Sequence, residues 1–370
     1  MRWTRPWRVS VRQNSRYFFS GRISLKVEDF IGDEKLFSII YHRDSDGLTS
    51  AVLMKKYLES LGRRVFLVKP NDAPGIGVTD RLLRSVEGLL VIVDIGVDQT
   101  DVPERFDGKI LVIDHHIPSR NLNSERILHI NPRLEGDDVY RPASYLIWKM
   151  FRERVDSEWV AGVGVYGDYG VGNCKDLMDE IAKKYPDILV EKRYDQVAMR
   201  ESLLAVLSDM IEASRAIGGL RGLNRAFEEF YRANSPSELL RSRLVLYLDK
   251  YRGELERLEQ DFRENSEYFP NANAYVYMIE SRYNLSSSFS TMISEKIPDS
   301  VVLILKKNRV LQVNARCQSG RVNVAELMRE LTEGIGSGGG HERAAGAHVP
   351  RRHVEEFLNR LREKLETFQG

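Results

Sequence analysis

His42, Asp44 and Asp46, three residues of types that can ligate divalent cations, stand two apart in the segment His42-Arg43-Asp44-Ser45-Asp46-Gly47. If this segment continues in extended form, alternation turns the three side chains to one side, and Gly47 lets the chain turn straight afterwards. Asp94 and Asp114-His115-His116 each follow an apolar run, and Asp168 follows a helix-like stretch. Singly, each has an ordinary reading: Asp94 as a turn residue, Asp168 as a helix cap, His116 as a hydrogen-bonded core histidine. Together they would crowd carboxylates and imidazoles around one crevice, which is costly unless the charge is compensated. Two divalent cations roughly 3.5 to 4 Å apart would offset the repulsion, acidify a bridging water and stabilise the oxygens of a phosphoryl displacement. Mixed carboxylate and imidazole donors favour Mn²⁺, with Mg²⁺ as the alternative.

The elements that must position these residues follow a regular pattern. Short apolar runs at residues 37–41, 65–68, 89–93 and 110–113 are joined by connections that include an amphipathic helix at 48–61. Such runs argue for an α/β fold with a parallel sheet covered on both faces. In such a sheet ligands bind beyond the carboxyl ends of the strands, where His42, Asp94 and Asp114 fall. Residues 143–155 and 159–165 read as helices ahead of Asp168. From about 187 to 263 the chain is charge-rich with helical apolar spacing, interrupted near Ile217-Gly218-Gly219, which suits a helical connector or insertion. A second, smaller α/β unit begins near Asn271, with strand-like runs at 274–279, 301–305 and 310–314, helices near 287–297 and 324–331, and a final helix at 352–366. The expected organisation is a basic N-terminal extension over 1–30, a first α/β domain over 31–186, the connector over 187–270 and a second α/β domain over 271–370.

The segments HRDSDG, VDIG, DHH and GDYG, in this order, resemble the four motifs of the DHH phosphoesterase family, which includes RecJ-type exonucleases, oligoribonucleases and family II pyrophosphatases. The resemblance covers roughly residues 36–170 and 271–350. It implies that Asp94 bridges two metals, that His42 and Asp44 hold one, and that Asp46, His115 and Asp168 hold the other. It further implies that His116 lies close to the scissile phosphate and that Asp114 orients the imidazoles, which makes Asp94, Asp114 and His116 the catalytic set. Asn131-Pro132-Arg133 is similar to the family's NP segment and would shape the site.

Residues 336–346 carry a glycine run closed by His341, Arg343, two alanines and Gly346, similar to the GGGHxxAAG signature of the family's DHHA1 substrate-binding domain. A glycine run alone would be read as a linker. Within a folded unit, its backbone N–H groups could instead cradle a phosphate. The expected substrate-binding residues are Arg316, Gly338, Gly339, Gly340, His341 and Arg343. Arg316 is followed by Cys317 where the family pattern has serine. Between Val301 and Arg352 nine basic residues face four acids, with Asp299 just before them, an excess that fits a polyanion.

Composition sets the outer bounds. With 42% apolar and 29% charged residues the chain is an ordinary globular protein. Cys174 and Cys317 have neither disulfide-framework nor zinc-type spacing. No apolar run nears the ~18 to 20 residues that cross a bilayer, and the start lacks the apolar core of a secretory signal, so no membrane association and a cytoplasmic location are expected. The net charge of +1 gives no global pull towards nucleic acid. Residues 1–30, however, carry a local balance of +5 with Trp3 and Trp7 interleaved, which suits a phosphate backbone with stacked bases or else a solvated extension.

These readings lead to a Mn²⁺-dependent exonuclease on single-stranded DNA or RNA, working alone or within a replication or repair complex. The alternatives are a hydrolase of short oligoribonucleotides, cyclic dinucleotides or 3′-phosphoadenosine 5′-phosphate, and a non-catalytic replication scaffold.

Overall fold

The computed structural model describes residues 24–73, 75–189 and 194–368. The chain divides into two compact units, Met1–Leu248 and Asp249–Gly370.

The first unit is built on a fully parallel sheet of β1 (Leu36–Tyr41), β2 (Arg64–Pro70), β3 (Leu89–Val93), β4 (Ile110–Ile113) and β5 (Ile127–Ile130), in the order β2-β1-β3-β4-β5. Every residue of β3 and β4 is buried, as expected of short apolar runs covered on both faces. One core layer joins Ile40, Leu90, Ile92 and Val112 to Val78, Leu82 and Val102. The strand order reverses between β1 and β3, and a crevice opens beyond the carboxyl ends at such a switch point. His42 and Asp94 follow these two strands.

The helices Ser45–Ser60, Ala143–Phe151, Glu158–Gly167 and Leu203–Arg232 pack on this unit. Glycines on Glu158–Gly167 make the approach close: a Cβ on Gly164 would strike Thr49 and Ser144, and one on Gly167 would strike Ser45 and Ser208. The helix Leu203–Arg232 bends at Gly219, whose φ is 56°, at the interruption expected from the sequence.

The basic extension expected over 1–30 lies, up to residue 23, outside the described residues, together with Trp3 and Trp7. Residues 24–31 are helical, and Val27 and Ile31 on one side of this helix are buried. Cys174 and Cys317 are free and buried. Among the described residues no helix is long and apolar enough to cross a membrane.

The second unit carries a mixed sheet of β6 (Glu267–Phe269), β7 (Ala274–Met278), β8 (Val301–Lys307), β9 (Val310–Arg316), β10 (Ser337–His341) and β11 (Ala344–Pro350), in the order β10-β11-β9-β8-β7-β6. Only β7 and β8 pair in parallel. Val324–Thr332 and Val354–Glu366 supply Leu327, Met328, Phe357 and Leu361 to its core.

Candidate metal centre

The first motif does not run on as an extended strand. β1 ends at Tyr41, and Asp44 is the N-cap of Ser45–Ser60, its Oδ1 accepting the Gly47 N–H at 2.9 Å. Asp46 therefore lies in the first helical turn, and the alternation expected of His42, Asp44 and Asp46 is corrected: a cap and a helical turn, not a strand pleat, present these residues. Gly47 has a different use from the expected turn. A Cβ there would collide with the His42 backbone, so glycine is what allows the helix to start against the motif's own first residue.

Asp46 is buried, and its carboxylate accepts the N–H groups of Ala143 at 2.7 Å and Ser144 at 2.9 Å. These belong to the first turn of Ala143–Phe151, whose positive dipole end favours an anion. Asp168 is the C-cap of Glu158–Gly167.

Asp94 occupies the centre. It is 2% exposed, and its φ of 59° is a left-handed conformation that Asp tolerates better than most residues. Its Oδ2 lies 3.5 Å from His42 Nδ1, which is 2.5 Å from Asp44 Oδ2. Its Oδ1 lies 3.2 Å from His115 Nε2, which is 3.4 Å from Asp168 Oδ2. Two donor sets result, His42 with Asp44 and Asp94, and Asp46 with His115 and Asp168, and in each the donor atoms lie within 4.8 Å of one another. The same holds for Asp94 with His115 and His116.

The electrostatics are those of a site built for cations. Burial, followed by the charges of Asp44 and Asp46, holds the Asp94 carboxyl well above the ordinary range. Burial, then the charges of Asp46 and Asp94, pushes Asp168 up to about 8. Burial opposes charge on His42, yet the Asp44 and Asp94 carboxylates raise it well above its ordinary value. Asp94 Oδ2 and His115 Nδ1 are buried without a well-formed hydrogen bond. Orphaned donors facing clustered carboxylates fit divalent cations of the mixed oxygen and nitrogen class.

His116 stands beside this cluster. Asp114, fully buried, contacts His116 Nδ1 through Oδ1 at 2.7 Å and raises the imidazole pKa against the opposing effect of burial. Asn131 donates to the His116 carbonyl at 2.8 Å, and Arg133 to that of His115 at 3.3 Å, so the Asn131-Pro132-Arg133 segment braces the histidine pair through its backbone.

Tyr140 is not evident from the sequence. Its hydroxyl donates to Asp168 Oδ2 at 2.6 Å, and its ring meets that of His115 edge-on at 5.1 Å. It falls in an irregular segment with no periodicity. Pro142, just ahead of the helix that holds Asp46, is the nearest sequence signal, since it marks a helix start.

In the second unit the glycine run forms edge strand β10 rather than a loop. A Cβ on Gly338 would strike the Met328 carbonyl, while Gly339 has nothing within 4 Å. The register pairs His341 with Ala344, and Ala344 with Arg316, which sets these residues in one row across three strands. Arg343 lies in the turn that follows β10, and His341 and Arg343 are exposed.

With this geometry in view, comparison with known proteins identifies the class. Residues 37–182 match the model of the DHH family, N-terminal domain, and residues 274–367 that of the DHHA1 domain. The chain belongs to the DHH/DHHA1 phosphoesterase family. Comparison with curated proteins found no match.

Among solved structures, RecJ from Thermus thermophilus in complex with Mn²⁺ aligns with a TM-score of 0.70 and 17% identity, over 94% of this chain and 55% of that one. This chain thus spans about half the length of the Thermus protein. An exonuclease RecJ bound to manganese aligns with a TM-score of 0.67 and 17% identity, over 94% of both chains. CDC45 from Entamoeba histolytica aligns at 0.58 and 9% identity, over 94% of this chain and 98% of that one. At these identities the likeness concerns the fold.

Proposed function

We propose that this protein is a two-metal phosphodiesterase, a Mn²⁺-dependent exonuclease acting on single-stranded DNA or RNA. The observation that carries the reading is Asp94, whose two carboxylate oxygens face two separate sets of imidazole and carboxylate donors.

His42, Asp44 and Asp94 would hold one cation, and Asp46, His115 and Asp168 the other, with Asp94 shared. When bound, the pair supplies a water of lowered pKa and charge to stabilise the phosphoryl oxygens. Asp114 engages His116 at Nδ1 and favours its protonated form, so that Nε2 would present a proton to a phosphoryl oxygen. In the second unit, Arg316, His341, Arg343 and the backbone of Gly338, Gly339 and Gly340 would bind the strand. The basic excess along this unit favours a polymer over a small molecule. A non-catalytic scaffold has no need of a complete donor set, and here every donor is present.

The test is digestion of 5′- and 3′-labelled DNA and RNA strands of graded length with Mn²⁺, Mg²⁺ or chelator. Stepwise shortening of long strands with Mn²⁺ and none with chelator is expected. Cleavage confined to the shortest substrates would move the assignment to the short-oligonucleotide hydrolases, and no cleavage of any substrate would overturn it.

A further inference from the structure

Behind the carboxyl ends of β3, β4 and β5, three side chains face one another that the proposed chemistry does not use together. Asp98 lies on the 3-10 turn Val97–Gln99, Asp114 follows β4 and His129 lies on β5. They are 3%, 0% and 3% exposed. One donor atom from each lies within 4.8 Å of the other two.

Each carboxylate has one oxygen committed elsewhere and one turned inward. Asp98 Oδ2 accepts from the Ser119 backbone N–H and hydroxyl, at 2.5 and 2.9 Å, and Asp114 Oδ1 engages His116. Asp98 Oδ1, Asp114 Oδ2 and both ring nitrogens of His129 are buried with no partner. The His129 backbone is pinned independently: its N–H donates to Asn123 Oδ1 at 2.8 Å, and its carbonyl accepts from Asn123 Nδ2 at 3.2 Å. The imidazole is therefore delivered to this place by the strand.

Leaving four such atoms desolvated and unsatisfied is costly. A bridging water would satisfy hydrogen bonds but not charge. Two carboxylates converge here, and among the described residues Asp98 forms no ion pair. Burial lowers the His129 pKa against the raising effect of Asp114 and Asp98, and a neutral imidazole is the form that binds metals.

We propose that Asp98, Asp114 and His129 form a further divalent-cation site, separate from the Asp94 centre and suited to an ion of the Mn²⁺ to Zn²⁺ series with two oxygen donors and one nitrogen donor. Through Asp114 the ion fixes the carboxylate that holds His116, so it braces the catalytic histidine without touching substrate. The site stands whether or not the protein is a nuclease.

Crystals of the full chain soaked in MnCl₂, or separately in ZnCl₂, are measured above the absorption edge of the metal. An anomalous peak is expected about 2.0 to 2.2 Å from Asp98 Oδ1, Asp114 Oδ2 and one His129 nitrogen. Peaks around Asp94 with none here make the occupant a water and overturn the proposal. In solution, elemental analysis of His129→Asn, and of Asp98→Asn as a second variant, should return one ion per chain fewer than the wild type. A folded variant that keeps the wild-type count also overturns it.

Discussion

Asp94 meets three demands at one position: a left-handed backbone, near-complete burial and a carboxylate oxygen towards each donor set. Asn tolerates the same backbone but lacks the charge. Asp94→Asn should therefore fold normally by circular dichroism and lose hydrolysis to background, whereas Asp94→Ala should add about 1 kcal/mol of backbone strain. Near-wild-type cleavage by folded Asp94→Asn protein would refute the shared-ligand role. Tyr140 acts through Asp168 and His115, and outer partners of this kind are worth about 10- to 100-fold in metal affinity. Tyr140→Phe keeps the ring and loses the hydroxyl, so Mn²⁺ titration should show that weakening with little change in melting temperature. The candidate ligands could be singled out in the sequence because His42, Asp94 and Asp114-His115 follow apolar runs, with Asp44 and Asp46 spaced two apart behind the first. Tyr140 could not be, because only the tertiary fold brings its irregular segment over Asp168.

At the scale of elements, the buried strands are readable from composition, since four or five consecutive apolar residues suit a sheet covered on both faces. The start of Ser45–Ser60 is not, because Asp44 serves as both cap and candidate ligand, and alternation in sequence imitates a strand. The glycine run hides its strand for another reason: without side chains it has no inside–outside pattern, and its pairing with β11 alone makes it β10. The glycines are not equivalent. Gly338→Ala should destabilise the second unit by about 1 to 3 kcal/mol through its clash with Met328, as for overpacking. Gly339→Ala meets no neighbour, so its melting temperature should hold while strand binding weakens if substrate lies against this backbone. Unchanged binding by Gly339→Ala would remove β10 from the substrate surface.

For the whole molecule, the raised carboxyls couple proton, metal and fold. Asp94 and Asp168 have folded pKa values above the ordinary Asp value, Asp168 at about 8, and His42 and His116 are raised as well. Each binds protons more tightly in the native state, so its contribution is present at low pH and is lost as pH rises through the folded value. In chelator, stability should therefore fall between about pH 5 and pH 8, and saturating Mn²⁺ should reverse the trend, both measured by denaturant melts across pH. A chelated protein that gains stability over this range would contradict the assignment. Removing residues 1–23, which spares the buried Val27 and Ile31, should leave short-oligonucleotide cleavage unchanged and lower the salt slope for long strands by about 0.7 per lost phosphate contact. Gly164 and Gly167 carry a different implication. They touch no metal donor through a side chain, yet any larger residue there collides with Thr49 and Ser144 or with Ser45 and Ser208, beside the helix starts that hold Asp44 and Asp46. A saturation-mutagenesis map scored on the proposed activity would mark both glycines as intolerant as the proposed metal ligands. Libraries meant to diversify this protein should leave them fixed and place their variation on the second unit, where exposed His341 and Arg343 can change without disturbing how the helices meet.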